Sequence, residues 1–382
     1  MAGPLSGVRV LELAGIGPGP FAAMVLADLG ADVVRVDRIS RGTGPLGAPG
    51  PAGHDVLARS RRSVSIDLKD RRGAEVVLAL VEDVDVLLEG FRPGVAERLG
   101  VGPSACLGRN PRLVYGRMTG WGQEGPWASM AGHDIDYVAL SGALHPIGPA
   151  DRSPAVPLNY IADFGGGGML MAVGVLAALV ERQRSGDGQV VDAAMVDGAA
   201  LLSSMFHGLR SMGLWSDTRG TNALDGAAPY YRTYATADGG FVAVGALEPQ
   251  FYAQLLAVVG LDEADWPQHE RGRWPALADR LAEVFAGRSR DEWAAAFAGT
   301  DACAAPVLGL AEAPAHPHLA ARRTFVDVAG VAQPAPAPRF SRTPPADPRA
   351  PRQAGADTDE VLAAAGLTPA TIAELRAAGV VG

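Results

Sequence analysis

Residues 8–37 read VRVLELAGIGPGPFAAMVLADLGADVVRVD, and this stretch decides the fold class. Residues 8–13 form a short run rich in valine and leucine, 21–29 carry apolar side chains at helical spacing, and 33–36 form a second β-branched run closed by Asp37 and Arg38. Strand, helix and strand in so short a span make a βαβ unit, which predicts a parallel sheet with right-handed crossovers. The turn Gly15-Ile16-Gly17-Pro18-Gly19-Pro20 stands where a dinucleotide fingerprint would, with Asp37 at the place of a ribose-binding acid. Pro20 occupies the third glycine position, and two prolines remove N–H groups that would cradle a pyrophosphate, so the turn reads as a plain strand-to-helix connection.

Outward from this unit the alternation continues, with strands at 63–68, 84–89 and 113–118 and a helix at 71–82. Gly165 to Gly168 open a long small-residue helix to about residue 184, and a brief strand at 190–191 leads to a helical stretch over 192–209. After a glycine-punctuated connector, strands at 230–236 and 241–244 and helices at 250–259, 274–286 and 290–297 form an α+β unit. Residues 334–351 are Pro-rich and read as an extended crossover, and two short capped helices follow at 358–365 and 369–377. The expected architecture is α/β: a large Rossmann-like domain from 1–190 and 335–382, a helix and connector at 191–228, a small α+β domain at 229–330 and a crossover linker at 331–351.

The 382 residues carry a net charge of −9, which argues against binding bulk nucleic acid or an anionic membrane while leaving room for a local basic pocket. Cys106 and Cys303 stand far apart without a C-x-x-C pair, so neither a disulfide framework nor a cysteine metal site is expected. The opening MAGPLSGVRVLEL lacks the regions of a signal peptide, and no apolar run spans a membrane without polar interruption; the expected location is the cytoplasm. Among the basic residues only one is a lysine, Lys69, and it follows a cluster of Arg35, Arg38, Arg41, Arg59, Arg61 and Arg62. Such a cluster suits a phosphorylated small ligand or a solvated charged face.

Three acid/base candidates emerge. His133, in the stretch AGHDIDY after the glycine-rich turns at Gly120 and Gly122, belongs at the mouth of a parallel sheet, where ligands of open α/β folds collect; it is structural or catalytic. Asp163 precedes four glycines and reads either as a helix N-cap or as a carboxylate facing a ligand that the glycines let approach. Glu248 lies between a strand and a helix and can cap that helix. The other histidines, among them His54, His207, His316 and His318, look incidental.

At these positions the sequence resembles the 2-methylacyl-CoA racemases of the family III CoA-transferase (CaiB/BaiF) superfamily. The resemblance is carried by ELAGIGPGPFAAMVLADLGADVVRVDR, SIDLK, RPGVAERLG, YGRMTGWGQEGP, AGHDIDY, PLNYIADFGGGG, GQVVDAAMVDG, ADGGFVAVGALEPQFY and TDACAAPVL, which span most of the first 310 residues. It implies that His133 and Asp163 are the acid/base pair, with Asp134 beside them, that Glu248 partners the histidine, and that Arg98 is an active-site arginine. It also implies that coenzyme A, as part of the substrate, meets Arg38, the stretch Ile66, Asp67, Leu68 and Lys69, and Gly132, His133, Asp134, Ile135, Asp136 and Tyr137. Asp136 departs from relatives that often carry Asn there and adds a negative charge. The family further implies an interlocked homodimer, with the site between the large domain of one chain and the small domain of the other.

The chemistry fits. Inverting the 2-position of a thioester removes a weakly acidic proton from one face and returns one to the other through an enolate, which needs two groups on opposite faces and no metal or organic cofactor. Backbone N–H groups around Asp134 can hold the enolate oxygen if His133 opens a helix. The rival in the same superfamily is a CoA-transferase using Asp163 as nucleophile. Those transferases resemble one another in a glycine-rich small-domain loop where this chain has Ala246-Leu247-Glu248-Pro249. A non-catalytic CoA-binding protein is a further rival, expected to have lost an acid/base position.

Overall fold

A computed structural model describes residues 3–39 and 52–382 and separates into two compact units, one comprising Met1–Gly142, Leu158–Leu202 and Pro317–Gly382, the other Ala143–Pro157 and Ser203–His316. In the first, six parallel strands, β1 (Arg9–Leu13), β2 (Asp32–Asp37), β3 (Arg62–Ser65), β4 (Val86–Glu89), β5 (Val114–Thr119) and β6 (Gln189–Ala194), lie in the order β3-β2-β1-β4-β5-β6. The expected parallel α/β sheet is therefore present. Its chain order reverses between β1 and β4, and a crevice opens at the carboxyl ends of the strands at such a switch point. Val10, Leu11, Leu87, Val114 and Tyr115 are fully buried, as both faces of a parallel sheet require.

Helix α1 (Pro18–Asp28) follows β1, α2 (Arg71–Val81) follows β3, and the short α3 (Val95–Arg98) and α4 (Pro103–Arg109) lie between β4 and β5. After β5 come α5 (Asp134–Leu140), a π-helix at Tyr160–Met169 running into α6 (Leu170–Ser185), and, beyond β6, α7 (Met195–Leu202). The C-terminal helices at Thr358–Ala364 and Pro369–Ala377 return to the sheet, where Leu362, Ile372 and Val380 join the core of Leu11, Val64 and Val77.

Several sequence expectations are corrected. The strand expected over 63–68 stops at Ser65, because the Asp67 N–H donates to the Val380 carbonyl at 2.9 Å and the Asp67 carboxylate then accepts from the Lys69 N–H at 2.9 Å, turning the chain into α2. The helix expected from 192 begins at Met195, since β6 keeps its register with β5 as far as Thr119 opposite Ala194. The unit boundary falls after Leu202, and the hairpin of β10 (Phe325–Val328) and β11 (Val331–Pro334) belongs to the first unit. Arg59 holds that hairpin, donating to Gln333 Oε1 at 2.9 Å and the Pro334 carbonyl at 2.8 Å while pairing with buried Asp28 at the end of α1.

The four glycines do not open a helix. They lie inside the π-helix and let two helices cross it: a Cβ on Gly166 would come within 2.7 Å of the Ala199 nitrogen, and one on Gly168 within 2.8 Å of the Pro18 carbonyl oxygen. From the other side, a Cβ on Gly198 of α7 would lie 1.9 Å from the Gly166 carbonyl oxygen. Gly198→Ala is therefore expected to lower stability by roughly 1–3 kcal/mol or more, because backbone must move to admit the methyl group, and a denaturant titration against wild type measures it. The helical run Tyr160–Ser185 is long and apolar enough to cross a membrane, but Met171, Ala172, Val175, Ala178 and Leu179 are buried within this unit.

The second unit is a three-stranded antiparallel sheet, β7 (Tyr231–Ala235), β8 (Phe241–Gly245) and β9 (Ala304–Pro306), with α8 (Ser204–Ser211), α9 (Pro249–Val259), α10 (Trp274–Phe285) and α11 (Arg290–Phe297). Tyr230, Tyr252, Leu255, Trp274, Leu281, Phe285 and Trp293 form its core.

Candidate active site

Beyond the carboxyl end of β5 the chain passes through Gly120–Gly132 and enters α5 at His133, whose extended backbone (φ −132°, ψ 173°) marks it as the residue that opens the helix. The Asp136 carboxylate accepts the His133 N–H at 2.9 Å. The Asp136 side chain thus caps the start of α5. Tyr137, one step further, packs its ring at 4.7 Å from Trp121 and against Gly120 and Gly132, where a Cβ would come within 2.3 and 2.7 Å of it. Burial, and behind it the carboxylates of Asp163 and Asp136, push its hydroxyl up to about 12 against the pull of Arg92, so it stays protonated.

Asp134 ties this helix to the next element. Its side chain is buried, and Oδ2 accepts two backbone donors, Ala162 N–H at 2.8 Å and Asp163 N–H at 2.7 Å, in the first turn of the π-helix. Its Oδ1 is buried with no partner among the described residues. Asp163 is not a helix cap; Asn159 holds that place, and its amide reaches Asp163 Oδ2 at 3.4 Å. On the other side the carboxylate looks onto the turn after β1, where a Cβ on Gly17 would lie 3.2 Å from Oδ2. Gly17 has φ +68°, a second reason for glycine there. Burial raises the Asp163 carboxyl above the ordinary 3.8; the Asn159 hydrogen bond opposes this, Asp134 adds to it and His133 opposes it. His133 and Asp163 therefore share one electrostatic environment, delivered by two elements that Asp134 pins together.

The loop after β4 is fixed by Arg117, which donates to Glu89 Oε1 at 3.0 Å and pairs with Glu97 at 2.9 Å, while Glu89 accepts the Phe91 N–H at 2.6 Å. Arg98 ends α3, is exposed, and forms no ion pair or hydrogen bond with His133 or Asp163. Arg92 on the same loop is the cation that acts on Tyr137.

Most of the basic cluster is structural. Arg35 pairs with Asp37, Arg59 with Asp28, Arg61 with Glu12 and Arg62 with Asp32, while Arg41 lies outside the described residues. Arg38 and Lys69 remain exposed and form no ion pair among the described residues. They follow β2 and β3, adjacent strands with Asp37 opposite Ser65, so both sit beyond the same carboxyl edge of the sheet. Asp67, Leu68 and Lys69 form the turn there and Ile66 is buried beneath it, bridging Val381. Gly132 to Tyr137 frame the start of α5.

Glu248, in the second unit, opens α9 through its carbonyl, which accepts from Phe251 and Tyr252 N–H at 3.0 Å each; its exposed carboxylate makes no capping bond. The capping explanation for that side chain fails, and the group is left available. Among the described residues no cluster of three or more His, Cys, Asp or Glu is arranged to hold a metal.

A match to CoA-transferase family III runs over residues 5–358. The chain belongs to that family. The mouse protein named alpha-methylacyl-CoA racemase is 49% identical over 97% of this chain and 96% of its own length, and the human protein of the same name is 46% identical with the same coverages. A crystal structure of a CaiB/BaiF family protein from Brucella suis superposes with a TM-score of 0.82 at 27% identity, covering 96% of this chain and all of that one. Asn159 and Arg92 carry no motif that marks them in the sequence, and Gly17 reads there only as part of a turn. Asn159 stands one helical turn before Asp163, a spacing that brings two side chains together and was the available signal.

Proposed function

We propose that this family III chain is an isomerase of the alpha-methylacyl-CoA racemase type, interconverting the (2R) and (2S) epimers of 2-methylacyl-CoA thioesters. The observation that carries the reading is the Asp163 carboxyl, raised above its ordinary value beside His133 and held by Asp134, Asn159 and the glycine turn. Neutral His133 removes the proton at C2 from one epimer; the C–H electron pair moves onto the thioester oxygen, and protonated Asp163 delivers a proton to the opposite face. The reverse reaction exchanges their roles. The first-turn N–H groups of Asp134 and Ile135, without partners among the described residues, are the donors for the enolate oxygen. Glu248 orients the imidazole from a second copy of the chain in a homodimer. Coenzyme A enters as part of the substrate, with Arg38 and Lys69 for its phosphates and the α5 segment for its thioester end, and the proton transfers need no further cofactor. Arg98 is proposed to face the bound substrate.

Burial lets the Asp163 carboxyl hold a proton more readily than a free aspartate, which suits a group that must act as acid toward one epimer and as base toward the other, whereas the transferase mechanism uses it only as an ionised nucleophile. The test incubates one epimer of a 2-methylacyl-CoA with the enzyme in D₂O without an acceptor acid. The expected result is deuterium at C2 with loss of optical purity. No exchange, together with CoA transfer to an added carboxylate and hydroxylamine capture of an acyl group on Asp163, would establish the transferase instead.

A further inference from the structure

We propose that Gln268 is the positioning residue for Glu248, an inference that rests on the role given to Glu248 above. The carboxylate sits on the loop joining β8 to α9, where Ala246 is buried in the aromatic core and the backbone is held by main-chain bonds and one buried amide. Along it, Gly245 N–H donates to the Cys303 carbonyl at 2.8 Å, Ala246 N–H to Tyr230 at 2.9 Å and Leu247 N–H to Gly245 at 2.9 Å. The carbonyls of Ala246 and Leu247, the two residues before Glu248, both point at Gln268, whose Nε2 donates to them at 3.2 and 2.9 Å. A carboxamide NH₂ is well suited to this, since it presents two donors in one plane.

Gln268 is itself firmly placed. It is 6% exposed, while Glu248 is exposed. Its main-chain carbonyl accepts from Trp274 Nε1 at 2.9 Å, and two residues earlier the Trp266 main-chain carbonyl accepts from the Tyr252 hydroxyl at 2.7 Å, both donors belonging to core aromatics. Rigidity thus passes from the aromatic core through the 266–268 segment and one amide to the loop that presents Glu248. The other amide atom, Oε1, is buried without a partner among the described residues. Leaving a buried acceptor unpaired costs stability, so a residue present for packing alone would be apolar; the two donated bonds are what the glutamine supplies.

The experiment uses the full-length enzyme with a single epimer of a 2-methylacyl-CoA and compares Gln268→Met, Glu248→Ala and the double variant, with Tm recorded for each. Methionine keeps the length and removes both donors. Gln268→Met is expected to lower kcat on the order of a hundredfold, the effect of a small misplacement remote from the chemistry, with KM little changed. In the Glu248→Ala background it is expected to cause no further loss, because the side chain it positions is gone. Gln268→His, which keeps one ring N–H, should fall between wild type and methionine, and it carries the test if the methionine variant does not fold. Equal losses in both backgrounds would show that Gln268 acts through the fold at large, and an unchanged kcat in Gln268→Met would also overturn the proposal. If Glu248→Ala alone is fully active, the role of Glu248 fails and this inference with it, an outcome distinct from the other two.

Discussion

His133→Ala and Asp163→Ala are each expected to abolish inversion at C2, by roughly 10²–10⁴-fold or more, as loss of a positioned acid or base does. The two variants should nevertheless differ in what they retain. With His133 removed, Asp163 still faces one side of C2 and can exchange the hydrogen of the epimer that presents its proton there; with Asp163 removed, His133 does so for the opposite epimer. In D₂O each variant should therefore wash deuterium into one epimer only, without loss of optical purity, and the epimers should be opposite. The geometry supports this division because the two side chains come from separate elements, the start of α5 and the π-helix. Chiral separation and mass spectrometry of recovered thioester read both quantities. Normal inversion in either variant, or exchange of the same epimer in both, would sink the two-base mechanism. A nucleophilic Asp163 would behave differently, since Asp163→Ala would then lose acyl capture while His133→Ala kept it.

The first thirty-seven residues announced the sheet because β1 and β2 are inner strands whose Val10, Leu11, Leu13, Val33, Val34 and Val36 are all buried, while the polar residues between their ends, Glu12 and Arg35, are ion-paired. Local pattern was weaker wherever a partner distant in sequence decides the outcome. Residues 66–68 look like more strand, yet the C-terminal residues take over the pairing there, the Val380 carbonyl accepting from Asp67 N–H and Gly382 N–H donating to the Ser65 carbonyl. Ala304–Pro306 is too short and too poor in β-branched side chains to read as a strand, and pairs only because β8 offers an edge. The arginine cluster suits a phosphate site or a solvated face in the sequence because charge is visible there and its neutralisation is not: Asp28, Glu12 and Asp32 that pair with it lie some thirty to fifty residues away. Asp163 was legible as a residue of consequence, but its four glycines were misread. They serve the crossing of α7 and α1 over a π-helix, a contact between helices that only the folded chain brings together. The lone lysine keeps its place at the carboxyl edge of the sheet, now in a turn beyond the strand.

Asp134 should separate charge from anchorage when it is replaced in two ways. Asparagine keeps an oxygen able to accept from Ala162 and Asp163 N–H but removes the negative charge that helps raise Asp163. Asp163 should then titrate lower. When Asp163 acts as the acid, activity falls as pH rises through its pKa; when it acts as the base, activity falls as pH drops through the same value. Both limbs sit above the ordinary aspartate range in the wild type, and both should move toward lower pH in Asp134→Asn. Alanine removes the anchor as well, leaving two backbone donors of the π-helix unpaired. That should cost roughly 1–3 kcal/mol of stability for each donor water cannot reach. It should also lower kcat on the order of a hundredfold, through displacement of Asp163 from its working position. The pH–rate profiles for each epimer, with a denaturant titration, distinguish these effects. If the asparagine variant leaves both limbs in place, the Asp134 charge does not tune Asp163; if alanine and asparagine behave alike, the two backbone bonds do not hold the site.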